Sequence, residues 1–447
     1  MERLVAKYAA KLADAGITGR GAPVVGGLDA EAVWNREAPE RVWMEQLFER
    51  LDISSVLFSY PSEPYRSVIR HLARSSHQQS TADAATRAAL GLAPAGNAQH
   101  SFAMPPLALC RKTSNSHDYR RPRHDPGENS GLAQRSEEAI VPKDSETRTF
   151  LHEIPVVESY DVDRIAAALE RRKGAILSDG GVVTFGTVSP EQAFVTFSSI
   201  CFACFVKFFA DLLWSVRWGP SDEPGLALAR RVARETEPPP VQAPKLAVGP
   251  FSQEESVYAA LCEAGRWTVQ LGLVDSYFGN ISHLHGGTLY ISQTGSSLDE
   301  LEGCIDPVPM DGSTCTAITA SSEFSAHRKI VEKGTARSIL HGHPRFAVAL
   351  TLDCDRRDCG PDLRCHLNCP HKRVVLGDVP IVPGEIGTGK HGIGTTLPPA
   401  LEEHDAALVY GHGVFVTGRE DFRAPMARLL EVERGARQEV LRRLGLR

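Results

Sequence analysis

ARSILHGHPRFAVAL (336–350) reads as a strand running into a helix. Residues two apart on a strand point to the same face. His341 and His343 therefore project together, and Gly342 between them leaves room beside a bound ion. Two imidazoles at this spacing chelate a divalent cation, and a third nitrogen ligand would leave positions open for substrate. A His-x-His pair alone is a weak signal, so the reading turns on a third ligand. AALVYGHGVFVTG (406–418) supplies a candidate: apolar strands flank a Gly-His-Gly turn that presents His412 where a sheet emerges.

Three further stretches carry polar turns. TAITASSEFSAHRKIV (316–331) places Thr319, Ser321, Ser322 and Glu323 ahead of a helix bearing Phe324, His327 and Ile330. Serine near a helix start caps exposed N–H groups, and those donors with the helix dipole attract anions such as phosphate. On spacing alone Glu323 is a first-turn carboxylate favoured by the dipole. DSYFGNISHL (275–284) sets Gly279-Asn280 before a strand, and LYISQTGSSLDEL (289–301) sets Thr294-Gly295-Ser296-Ser297 after one. Glycine lets backbone approach a ligand, while Thr, Ser and Asn supply hydroxyl and amide donors.

Composition bounds the function classes. The chain has 447 residues, 42% hydrophobic and 23% charged, with a net charge of −6. That length implies two domains, and the charge argues against nucleic acid as the main partner. The N-terminal MERLVAKYAAKLADAG lacks the apolar core of an export signal. The most apolar run, AFVTFSSICFACFVKFFADLLW (193–214), is interrupted by Lys207 and Asp211 and reads as a buried helix, not a membrane span. The ten cysteines are then expected to be reduced thiols or metal ligands, and the compartment the cytoplasm.

Residues 1–233 are expected to form an N-terminal domain, 234–250 a Pro-rich semi-rigid spacer, and 251–447 a second domain. Residues 76–140 read as a long disordered insert, with order resuming near Thr147. RRKGAILSDGGVVTFG…FF (171–209) parallels HDAALVYGHGVFVTG…GA (404–436): strand, glycine turn, strand, long helix. SSVLFSYPSEPYRSVIRHL (54–72) loosely echoes 321–333. Duplication with a degenerate first copy follows, in which Asp179-Gly180-Gly181 replaces Gly411-His412-Gly413 and the insert occupies the place of His-x-His.

Gly279-Asn280-Ile281-Ser282, Thr294-Gly295, Ser321-Ser322-Glu323, His341-x-His343 and Gly411-His412-Gly413 occur in one order. Together they resemble the class II aldolase/adducin family, typified by L-fuculose-1-phosphate aldolase, over about 250–440. The resemblance implies an α/β fold: a three-layer α/β/α domain with a mainly antiparallel central sheet, usually a homo-oligomer (a tetramer) with active sites between subunits. It implies zinc, or another divalent metal, on His341, His343 and His412. It implies Glu323 as acid/base and Gly279, Asn280, Thr294, Gly295, Ser321 and Ser322 around a substrate phosphate.

The function so implied is cleavage or formation of a carbon–carbon bond in a phosphorylated ketose-like substrate through a metal-stabilised enediolate. A sugar-phosphate epimerase, dehydratase or decarboxylase would use the same site, and a non-catalytic adducin-like scaffold is the rival from another class. Tyr277-Phe278 stand where aldolases typically place small polar residues, and no tyrosine lies between 351 and 400 to serve as a family-type proton donor.

LDCDRRDCGPDLRCHLNCPHKR (352–373) is a separate signal. Cys354, Cys359, Cys365 and Cys369 suit a second, structural zinc, or are free thiols on a loop. Cys201-x-x-Cys204 reads as buried inert thiols, and His283 and His285 as surface residues of a hairpin tip.

Overall fold

The computed structural model describes residues 1–76, 138–158, 160–236, 239–275, 277–313, 318–356, 359, 364–369, 371–384 and 389–446. In the first half the order is α1 (Glu2–Asp14), β1 (Val24–Leu28), β2 (Ala32–Trp34), α2 (Arg41–Arg50), β3 (Ser55–Ser59), α3 (65–76), β4 (Ala139–Ile140), α4 (Ser145–Leu151), β5 (Ile154–Val157), α5 (Val162–Arg171), β6 (Gly174–Leu177), β7 (Val182–Gly186), α6 (Pro190–Trp218) and α7 (Glu223–Glu235). The second half continues with α8 (Glu254–Gln270), β8 (Asn280–His285), β9 (Thr288–Ser292), β10 (Ile305–Pro309), α9 (Phe324–Lys333), β11 (Ser338–Gly342), α10 (Arg345–Leu352), α11 (Cys365–Asn368), β12 (Arg373–Val375), β13 (Val379–Val382), α12 (Ile393–Glu403), β14 (Ala406–Val409), β15 (Val414–Gly418) and α13 (Arg423–Arg443).

Each half builds one sheet. The first runs β2-β1-β3-β7-β6-β5-β4 and the second β10-β9-β8-β11-β15-β14-β13-β12. Neighbours pair antiparallel except β5 with β6 and β13 with β14. Without β10, the two sheets share strand order and pairing sense. They also share register: Ser55 opposes Gly186 as Ser338 opposes Gly418, and Ser59 opposes Val182 as Gly342 opposes Val414. Even the turn hydrogen bonds match, with Leu177 N to Gly181 O at 2.8 Å and Val409 N to Gly413 O at 2.9 Å.

Side chains alternate across each strand, so each sheet buries both faces. Val56 and Phe58 of β3 join the cluster under α2 and α5, while Leu57 faces the other way. In the second sheet Phe415 lies under α9 and α12, whereas Val414 and Val416 face α10 and α13. The two inward helix layers merge. Residues of α1, α6 and α7 share one core cluster with those of α8, α10 and α13, and Arg217 and Arg443 converge on Asp353 at 2.7 and 2.6 Å. Helix α6 alone is long and apolar enough to cross a membrane among the described residues, yet 89% of its apolar window is buried. Cys201 and Cys204 sit inside it, and burial pushes both thiols up, Cys204 to about 12.

Several expectations change. Residues 138–146 are already part of the fold ahead of Thr147: β4 pairs with β5, and buried Asp144 caps α4 by accepting from Thr147 N at 2.8 Å. The rest of the expected insert, 77–137, lies outside the described residues. The semi-rigid 234–250 stretch is held to the second half at several points. Arg434 and Arg437 of α13 donate to the carbonyls of Pro240, Ala233 and Thr236, and Gly249 N reaches Asp421 Oδ2 at 2.9 Å. The shared register shows which first-half residues stand where the second half has its His-x-His. Ser55-Val56-Leu57-Phe58-Ser59-Tyr60-Pro61 occupies the place of Ser338-Ile339-Leu340-His341-Gly342-His343-Pro344. The 54–72 stretch therefore matches β11 and α10, not 321–333.

Helix α10 follows the His-x-His directly, and Glu433 of α13 fixes its start by accepting from Phe346 N at 3.0 Å and Ala347 N at 2.9 Å. Burial raises Glu433 to about 7, the two N–H donors lowering it less. A carboxyl with a raised folded-state pKa stabilises most when protonated, and that contribution is lost as pH rises through about 7. The stability advantage of the wild type over Glu433→Gln, which cannot titrate, should shrink between pH 5 and 8 by up to about 3 kcal/mol. Chemical denaturation of both proteins across that range checks it; a constant difference contradicts it.

Candidate metal centre

His341 is near the end of β11, opposite Phe415 on one side and Asn280 on the other. Its ring stacks on Phe415 at 3.9 Å between centroids, and its Nδ1 lies 3.0 Å from Val414 O. A carbonyl can only accept, so Nδ1 carries the proton and Nε2 presents a lone pair. His343 follows just beyond the strand with its Nε2 2.8 Å from that of His341, and Phe278 lies parallel to its ring at 5.9 Å. His412 enters from the turn between β14 and β15. One nitrogen of each imidazole lies within 4.8 Å of the others, and all three rings are buried.

The glycines divide the work differently from the sequence expectation. A Cβ on Gly342 would strike Leu273 O at 2.5 Å, so that glycine admits backbone, not space beside an ion. Gly413 makes the room: a Cβ there would lie 2.6 Å from Gly342 O, 2.7 Å from His341 Cε1 and 2.9 Å from His343 Cδ2.

Glu323, at the N-cap of α9, makes no capping hydrogen bond. It turns into the cage instead, with Oε1 2.9 Å from His412 Nε2 and Oε2 3.4 Å from His341 Nε2. Asn280 Nδ2 donates to it at 2.6 Å. Burial favours the neutral acid, but His341, His412 and Asn280 together hold the carboxyl well below its ordinary range. Burial drives His341 down to about 4 and His343 down further. For His412, burial is outweighed by Glu146 and Glu323, which raise it to about 10. Two neutral imidazoles with lone pairs available, and a third held by carboxylates, fit a divalent cation by donor type, burial and convergence.

The cage opens past Glu323 into a cavity of about 770 Å³. Gly279, Asn280, Thr294, Gly295, Ser321 and Ser322 all line it, so the structure gathers every residue read as a phosphate contact. Some of their donors are taken. The Asn280 amide is committed to Glu323, and Thr294 Oγ1 donates to Ala320 O at 2.9 Å. Gly295, at φ +74° with nothing within 4 Å of a Cβ, and exposed Ser322 face open space.

The opposite wall comes from the first half: Glu146 and Phe150 of α4, Lys173, Phe185 to Thr187, and Glu191, Gln192, Val195 and Thr196 on α6. Tyr277 lines the same cavity and donates to Glu191 at 2.6 Å. Sequence reasoning missed this wall. No spacing signal links Glu146 to His412 across the length of the chain.

Two other expectations meet the structure. His283 is not a surface residue: it is buried on β8, its Nδ1 2.9 Å from Ser338 Oγ, beside Phe251 and Phe422. Cys354, Cys359, Cys365 and Cys369 are half-buried and in no disulfide, and among the described residues the three histidines are the only converging group of three or more ligand side chains. Residues 357, 358, 360–363 and 370 of that loop lie outside the described residues.

Residues 259–440 match the family model "Class II Aldolase and Adducin N-terminal domain". Among solved structures, L-fuculose-1-phosphate aldolase from Thermus thermophilus is 26% identical, covering 42% of this chain and 93% of its own, with a TM-score of 0.34. YgbL from Klebsiella pneumoniae, named as a putative aldolase/epimerase/decarboxylase, is 25% identical over 41% and 89%, at 0.33. A sugar-phosphate aldolase from Thermotoga maritima is 20% identical over 43% and 96%, at 0.32. Among curated proteins none matches the chain. The stretch that carries the three histidines and Glu323, residues 259–440, thus belongs to the class II aldolase and adducin family.

Proposed function

We propose that the chain is a divalent-metal lyase that reversibly breaks a carbon–carbon bond in a phosphorylated ketose-like substrate. The observation that carries this reading is the convergence of three buried imidazole nitrogens beside a buried carboxylate, at the floor of a cavity lined by hydroxyl and backbone donors. His341, His343 and His412 would hold the cation, zinc or another divalent ion. When bound, it supplies Lewis-acid polarisation of the substrate's oxygens.

Glu323 is placed to move the substrate proton, oriented by Asn280 and kept ionised by its surroundings. Its burial excludes bulk water from that transfer. The Thr294-Gly295 and Ser321-Ser322 turns would orient the phosphate and so the reacting carbons. Incubating the purified protein with a panel of phosphoketoses and assaying aldehyde release tests the activity. An epimer, water loss or CO₂ release as the sole product would reassign the reaction on the same site. A scaffold has no use for three buried ligands and a buried carboxylate, and absence of bound metal would favour that rival.

Lys173 supports an anionic substrate. It is the one cation among the residues lining the cavity, it sits over the Phe150 ring at 3.7 Å, and it makes no ion pair among the described residues. Lys173→Met should raise KM about 10-fold, with a smaller change in kcat, since a charge-assisted contact contributes roughly 1.5–3 kcal/mol. An unchanged KM would remove Lys173 from substrate binding.

The first half is, in this reading, a copy of the same domain without its ligands. Shared strand order, pairing sense and register support it, with Phe58, Tyr60 and Gly180 in the places of His341, His343 and His412.

A further inference from the structure

We propose that this ligand-free first half is a working part of the metal centre, with Glu146 as the positioning carboxylate for His412. The proposal rests on reading the three histidines as ligands. His412 Nε2 faces the cage, 2.9 Å from Glu323 Oε1, so its Nδ1 is the edge turned away. That buried Nδ1 lies 3.0 Å from Glu146 Oε1. The three rings differ here: His341 Nδ1 has the Val414 carbonyl, while His343 Nδ1 has no hydrogen-bond partner. Glu146 is the group from the other half of the chain that reaches a ligand's far edge.

Its position is built. Buried Asp144 caps α4, and Ser145 grips the Gly411 carbonyl twice, through its N at 2.6 Å and its Oγ at 3.0 Å. Helix α4 therefore clamps the Gly-His-Gly turn on its backbone and on its imidazole. The clamp is an addition to the shared fold. Helix α4 lies between β4 and β5, whereas the equivalent β12 and β13 are joined only by residues 376–378.

The chemistry requires such a partner. An imidazole offers Nε2 to a cation only when Nδ1 holds the proton, and a carboxylate at Nδ1 fixes that tautomer, orients the ring and strengthens the donor. The metal-free contact is close but not aligned as a hydrogen bond.

The test uses the full chain. Zinc affinity, measured by competition with a chromophoric chelator at fixed pH, should fall about 10- to 100-fold in Glu146→Ala. Glu146→Gln, which keeps an acceptor oxygen and the side-chain volume, should fall less, and it carries the test if the alanine variant folds poorly. A nitrogen-15 histidine spectrum of the zinc-loaded wild type should show His412 protonated at Nδ1, and that signal should broaden or vanish in Glu146→Ala. Affinity equal to wild type in both variants, with the His412 signal unchanged, overturns the role of Glu146 alone. A wild type that takes up no zinc overturns the three-histidine reading, and this inference with it.

Discussion

Glu323→Gln should lower turnover by at least about 100-fold while the protein keeps its metal, because a positioned acid or base typically contributes 10²- to 10⁴-fold. Glutamine preserves the volume and can still accept from Asn280, whose amide now donates to Glu323 at 2.6 Å. It cannot take up a proton at neutral pH. The three imidazoles remain, so metal content should stay near the wild-type ratio. Loss of turnover without loss of metal separates the proton-transfer role from a ligand role. That distinction matters because Glu323 lies within 3.4 Å of two of the candidate ligand nitrogens. Full activity in Glu323→Gln would end the assignment, and loss of metal would make Glu323 a ligand first.

Gly413→Ala should press a single methyl group directly into the metal cage. Its Cβ would overlap a carbonyl oxygen and two imidazole rings at once, all at 2.6–2.9 Å. The Gly342 carbonyl is backbone between a strand and a helix and has little freedom to retreat, so the rings must give way. Overpacking of this kind costs about 1–3 kcal/mol of stability, and here the strain falls on the cage itself. Zinc affinity should drop by about 100-fold or more, equivalent to roughly 3 kcal/mol, with the secondary structure kept. Chelator competition and circular dichroism together check this. Wild-type affinity in Gly413→Ala would mean that the ligands are not arranged as described.

The cage was legible in the sequence because its parts obey short-range rules. His341 and His343 share a face through strand periodicity, and His412 stands on a glycine turn between two apolar strands. The strand-turn-strand-helix unit at 171–209 could be matched to 404–436 for the same reason. What escaped depends on contacts between distant segments. Glu146 reaches His412, and Lys173 and Glu191 reach the cavity, only because two sheets merge their helix layers.

The first-half counterpart of the His-x-His was misplaced because Phe58-Ser59-Tyr60 contains no histidine to find; register alone identifies it. Gly342 and Gly413 look interchangeable as letters, yet the atoms around them assign one to the Leu273 backbone and the other to the imidazoles. His283 sits beside two glycines, which signals a turn. The tip is at Gly286-Gly287, and the strand carries His283 back under Phe422.

The most direct test of the centre is the X-ray absorption spectrum of the zinc-loaded full chain. Three imidazole nitrogens completed by oxygen predict a first shell of light atoms at about 2.0–2.1 Å, with multiple scattering from the rings. That shell should be lost when His341, His343 and His412 are replaced together by alanine. A dominant sulfur shell at about 2.3 Å would instead place the ion on the cysteine loop. That result would leave the three histidines without the metal on which the proposed chemistry depends.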